Sequence, residues 1–136
     1  MHRTSIPASG YRQAIVVDDS RSMRALVRKA LEGLGFDVVE AQDGVEALER
    51  LATMRVPEVA LVDWHMPRMD GLALVRTLRQ REDYERMAVV VLHSETNTES
   101  VVEALAAGAD EYLMKPFSAE LLRDKLMLLE EEERVP

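Results

Sequence analysis

The chain has 136 residues, 17 Lys and Arg against 25 Asp and Glu, a net charge of −8 and no cysteine. That length fits one domain burying about two-thirds of the surface its unfolded form exposes. The charge disfavours a nucleic-acid partner, whose binding rests on phosphate neutralisation, and the missing thiols exclude a disulfide framework, a thiolate zinc site and a Cys nucleophile.

Apolar runs fall far short of the roughly 18 residues of a membrane span, and the opening MHRTSIPASG has no apolar core like that of a secretory signal. No membrane insertion and a cytoplasmic location are expected. Residues 1–12 read as a flexible leader. QAIVVDD, 13–19, is a β-branched strand ending in acids. Met23, Leu26, Val27, Ala30, Leu31 and Leu34 then recur at the spacing of one helix face, closed by Gly33 and Gly35. Arg21, Arg24, Arg28 and Lys29 lie on its polar side and read as a solvated face. FDVVEA, 36–41, is a second strand, and Asp43 with Glu46 predicts an N-cap and its reciprocal partner for a helix reaching about Met54.

The third strand, 59–63, ends at Asp63, and Asp70 caps a helix with Leu74, Val75 and Leu78 inward. MAVVVLH, 87–93, is apolar throughout, as a strand buried on both faces is, and belongs at the sheet centre. Thr96 with Glu99 opens another helix and Gly108 closes it. DEYLMK, 110–115, is a fifth strand, and Ser118 begins a last helix through Leu121, Leu122, Leu126 and Leu129. EEEER, 130–134, puts negative charge at a helix C-terminus, which predicts a frayed last turn and an acidic tail over 131–136.

Five strand–helix units predict an α/β fold: a doubly wound five-stranded parallel sheet, order 2-1-3-4-5, with helices on both faces. The ligand site of such a sheet lies beyond the carboxyl ends of its strands at the topological switch point, here between strands 1 and 3. Asp18, Asp19 and Asp63 should meet there. Three carboxylates together raise one another's pKa values unless a cation joins them, and an all-oxygen donor set points to Mg²⁺. Asp18 and Asp19 could instead cap the first helix, but that does not explain the pair plus Asp63. Ser94 and Lys115 end strands 4 and 5 and supply a hydroxyl and an ammonium; singly they read as a turn residue and a solvated charge. Together the five residues offer an oxygen nucleophile, metal ligands, a donor and a cation, the parts that phosphoryl transfer needs.

The motifs VVDDSRSMR, QDGVEAL, DWHMPRMDG, VVVLHSE and AGADEYLMKPF, in this order over about residues 14–129, resemble the receiver domains of two-component response regulators, and most of all their single-domain chemotaxis members. The resemblance implies a flavodoxin-like receiver domain over 13–130. It makes Asp63 the phosphoacceptor, gives Mg²⁺ to Asp18, Asp19, Asp63 and the backbone carbonyl of His65, and assigns the phosphoryl group to Ser94 and Lys115. It also implies a cis Lys115–Pro116 peptide and a switch in which Ser94 moves inward and Tyr112 turns from exposed to buried. The donor would be a sensor histidine kinase or phosphotransfer protein, met near the first helix. The output would be a separate protein target, or a phosphorylation-dependent dimer in place of the monomer, reached through the helix 4–strand 5–helix 5 face. His65 replaces the usual Asn of the chemotaxis proteins, Glu95 a small Ala, and TNTES a lysine-bearing segment; the phosphoryl lifetime is therefore expected to differ. Trp64, next to Asp63, is either a fluorescence reporter of metal or phosphoryl binding or a residue packed there for structural reasons alone. An Mg²⁺-dependent aspartyl-phosphate phosphatase, a flavodoxin-like nucleotide binder and a phosphorylation-independent docking receiver are the alternatives. The phosphatase usually has an acid where His65 stands, and the nucleotide binder needs an anion-cradling loop where DDSRSM stands.

Overall fold

The computed structural model describes residues 12–94 and 98–134, with side chains through Leu129; the leader before Arg12, Glu95 and the Thr96 cap lie outside the described residues. Strands β1 (Arg12–Val17), β2 (Phe36–Ala41), β3 (Val59–Asp63), β4 (Ala88–His93) and β5 (Glu111–Met114) alternate with helices α1 (Arg21–Gly33), α2 (Gly44–Ala52), α3 (Gly71–Arg79), α4 (Thr98–Ala107) and α5 (Ala119–Arg134). All strand pairs are parallel and the order is β2-β1-β3-β4-β5, as the alternation predicts.

Successive strand residues feed opposite layers. Ile15, Val17, Ala60, Val62, Val89 and Val91 face Ala47, Leu51, Leu74, Val75, Leu78 and Ala104 from α2, α3 and α4. Ala14, Val16, Leu61, Val90, Leu92 and Leu113 face Val27, Leu31, Leu122, Leu126 and Leu129 from α1 and α5. Because both layers are covered, β3 and β4 are buried at every residue, which explains their unbroken apolar runs.

Caps set the helix entries. Ser20, not either acid, caps α1 by accepting from Met23 N–H at 3.2 Å. Asp43 caps α2, but the Glu46 carboxylate accepts from Gln42 N–H at 3.2 Å, one residue away from the reciprocal partner that the spacing predicts. Asp70 caps α3 and Ser118 accepts from Leu121 N–H at 3.1 Å at the start of α5.

Several details differ from the expectations. β1 begins at Arg12, inside the anticipated leader, and α2 stops at Ala52 rather than Met54. Leu26 and Leu121 are 43% and 42% exposed, so the buried stripes of α1 and α5 are narrower than their apolar periodicity. Arg24 and Arg28 are not a solvated face. Both bond Glu40 on β2, at 2.9 and 2.6 Å, and Arg28 also donates to Val38 O. The α5 backbone is helical through Arg134. Strong Glu helix propensity outweighs an unfavourable dipole contribution that is worth only tenths of a kcal/mol to about 1 at an exposed end.

Candidate functional site

The parallel register brings four strand ends level. Val17 pairs with Val62, Asp63 with Leu92 and His93 with Met114, so the residues that follow β1, β4 and β5 emerge around Asp63. Since Ser20 does the capping, Asp18 and Asp19 are left for the pocket. Asp18 is fully buried and its Oδ1 accepts from Ser20 N–H at 2.8 Å, an Asx turn that fixes the carboxylate. Asp63 is 5% exposed and Asp19 is open to solvent. One oxygen from each lies within 4.8 Å of the others, an arrangement and a donor set that fit a hard divalent cation.

Lys115 reaches this trio from beyond β5, its backbone N–H donating to His93 O. Its Nζ donates to Asp18 Oδ2 at 2.9 Å and to Asp63 Oδ1 at 3.2 Å. Burial, then the charge of Asp18, pushes the Asp63 carboxyl up from 3.8 to about 6, against the pull of Lys115. Burial alone would lower the Lys115 pKa, but its bonds and charge interactions with Asp18 and Asp63 outweigh that and hold it above the ordinary lysine value. The Lys115–Pro116 peptide is cis, as the resemblance implies.

The remaining candidates stand around this centre. Ser94 directly follows β4 and is exposed. His65 is exposed and, with Asp19, Met66 and Asp70, lines an open cleft of about 360 Å³ beside the trio. Tyr112 is half-buried on β5, with Lys125 Nζ 5.3 Å from its ring centre and bonded to Glu111 at 3.2 Å.

Three features escape sequence reasoning. Trp64 stacks on the fully buried His93, ring centres 4.9 Å apart, which joins the residue after Asp63 to the residue before Ser94. Gly71 lies so close to the strand end that a Cβ there would sit 2.4 Å from Asp63 O. Arg68 forms a fork with Asp43 at 2.8 and 3.0 Å. The two glycines after aspartate in QDG and MDG are the visible signal of tight backbone approach, but their partners depend on long-range register.

Fold and pocket together define an open, doubly wound α/β domain whose chemistry sits on strand ends at the switch point. Residues 14–127 match the response regulator receiver domain family. A chemotaxis protein CheY homolog of Campylobacter jejuni is 41% identical over 113 residues, covering 82% of this chain and 87% of its own. Among solved structures, the chemotaxis response regulator CheY4 of Vibrio cholerae superposes with a TM-score of 0.82 at 34% identity, over 88% of this chain and 98% of its own. The receiver domain of a Pseudomonas aeruginosa sensor histidine kinase, whose structure has a magnesium ion coordinated in the active site cleft, gives 0.79 at 25% identity over 88% and 97%. The chain belongs to the response regulator receiver domain family of two-component signalling. Within that family it is CheY-like, a signalling domain and a homologue of chemotaxis regulators.

Proposed function

We propose that this protein is switched by phosphorylation of Asp63. An Asp63 carboxylate oxygen attacks the phosphorus of a phosphohistidine on a sensor kinase or phosphotransfer protein, in line with the P–N bond. The P–O bond forms as the P–N bond breaks, and the released imidazole takes up a proton. Lys115 and Ser94 donate to the phosphoryl oxygens, while Asp18, Asp19, Asp63 and the His65 carbonyl would hold Mg²⁺. When bound, that ion neutralises charge on the carboxylates and on the incoming phosphoryl group. Water entering beside His65 later releases phosphate. The observation that carries this reading is the Lys115 ammonium shared by buried Asp18 and Asp63 inside a cluster of three carboxylates.

Output follows from the same geometry. An inward movement of Ser94 leaves room for Tyr112, and the ring then parts from Lys125. Leu121 and Leu128, 42% and 49% exposed, flank Lys125 on α5, and Val102 and Leu105 are exposed on α4. This α4–β5–α5 face suits a separate protein target or a second activated copy. Among the described residues no helix is long and apolar enough to cross a membrane, and the site of action is proposed to be the cytoplasm.

Phosphoramidate, a small P–N donor, tests the reading. One Mg²⁺-dependent change in Trp64 fluorescence, absent in Asp63→Asn, is expected. Continuous turnover of p-nitrophenyl phosphate would instead identify a phosphatase, and no response to either reagent would leave a phosphorylation-independent docking module.

A further inference from the structure

The loop between β3 and α3 contains a backbone conformation that its sequence makes costly. Met69 N–H donates to Pro67 O at 2.7 Å, a γ-turn, and Arg68 at its centre has φ 64°. A γ-turn of this hand is rare and strained, and glycine would adopt it more easily than a residue with a Cβ. The side chain of Arg68 gives the compensation. Its Nε donates to Asp43 Oδ2 at 2.8 Å and its Nη2 to Oδ1 at 3.0 Å, a planar fork that lysine cannot reproduce.

The anchor is firm. Asp43 is 3% exposed, its Oδ1 caps α2 through Glu46 N–H at 2.9 Å, and α2 is seated on the sheet by Ala47 and Leu51. A second tie runs alongside, Gly44 N–H to Met69 O at 3.3 Å, where a Cβ on Gly44 would strike Met69. The loop is also fixed at both ends, by Trp64 N–H to Leu92 O at 2.9 Å and Gly71 N–H to Trp64 O at 3.0 Å. Between these points lie His65 and Met66, two walls of the cleft beside the carboxylate trio.

We propose that Arg68 is a positioning residue for the metal site: by clamping the loop to Asp43 it holds the His65 backbone where Mg²⁺ takes its carbonyl, an inference that rests on the pocket reading above. Groups behind a metal ligand commonly change affinity by about 10- to 100-fold when they are removed. The strained turn stays formed because two independent parts of the chain, α2 and the loop, meet at one guanidinium.

Mg²⁺ titration of the full chain by calorimetry tests this, with wild type, Arg68→Gly, Arg68→Lys and the double variant Asp43→Asn/Arg68→Gly. The double variant leaves no buried unpaired carboxylate, keeps an N-cap residue and relieves the turn, so it folds without the clamp. Loss of the clamp should raise the Mg²⁺ dissociation constant about 10-fold in both glycine variants, with Lys between them and wild type. Hydrogen exchange of the His65, Met66, Arg68 and Met69 amides should quicken without added metal. Unchanged affinity in the folded double variant would overturn the inference, leaving Arg68 a purely structural residue. If wild type and Asp19→Asn bind Mg²⁺ equally weakly, the pocket reading itself fails and the positioning role falls with it.

Discussion

Lys115 Nζ lies 2.9 Å from Asp18 and 3.2 Å from Asp63, so one ammonium holds two buried carboxylates that would otherwise repel. Removing one member of a buried ion cluster leaves an uncompensated charge, at a cost of about 3–5 kcal/mol. Lys115→Met should therefore lower the urea midpoint strongly in metal-free buffer. At one fixed Mg²⁺ concentration the variant, which lacks the ammonium competing for Asp18 and Asp63, should regain more stability than wild type, up to roughly 2.7 kcal/mol where Mg²⁺ stands at about 100 times the variant's dissociation constant. Equal losses with and without Mg²⁺ would detach the lysine from the metal pocket.

The raised Asp63 pKa sets the sign of a pH effect. Below 3.8 the carboxyl is protonated in both states; from there to about 6 the unfolded chain ionises first, so stability falls as pH rises, and above about 6 the penalty is complete. The shift corresponds to at most about 3 kcal/mol. Metal-free Asp63→Asn should be more stable than wild type at pH 7 by about 1–3 kcal/mol, and the gap should close as the pH approaches 4. Urea unfolding at a series of pH values checks this; a pH-independent gap would contradict the assignment.

Gly71 faces backbone rather than yielding side chains. A Cβ there would meet Asp63 O at 2.4 Å and Trp64 Cα at 2.9 Å. Gly71→Ala should cost about 1–3 kcal/mol by overpacking and should weaken Mg²⁺ binding as well, since the displaced atoms belong to the strand end that carries Asp63. A stability loss with unchanged Mg²⁺ affinity would confine the effect to the helix entry.

The Trp64–His93 stack is worth about 0.5–1.5 kcal/mol beyond the area it buries. His93→Leu, of similar volume, should lower the denaturant midpoint by that order at an unchanged slope. It should also reduce the response of Trp64 fluorescence to phosphoramidate, because the ring contact between the ends of β3 and β4 is gone while the Trp64 N–H to Leu92 O bond remains. A full fluorescence response would show that Trp64 senses Asp63 directly.

Much of this was legible in the chain because the central strands are buried on both sides: the apolar runs of β1 and β3 stop at Asp18 and Asp63. Strand order then brings these beside Lys115, which follows the half-buried edge strand β5. What stayed hidden depends on distant partners. Arg24 and Arg28 read as a solvated face because Glu40, their partner, lies on the neighbouring strand rather than one helical turn away. Leu26 and Leu121 fit the helical period but fall at the margin of stripes whose centres alone are covered. His93 is only the last residue of the run MAVVVLH until the pairing of Asp63 with Leu92 sets it against Trp64. Arg68 carries no local sign that its side chain closes on Asp43.

The most direct test of the central claim is intact mass after incubation with Mg²⁺ and acetyl phosphate, followed by peptide mapping, beside an Asp63→Asn control. The account predicts a single phosphoryl adduct on the peptide holding Asp63, dependent on Mg²⁺ and absent from the control. An adduct that persists in Asp63→Asn, or no adduct under conditions that label another receiver domain, would contradict it.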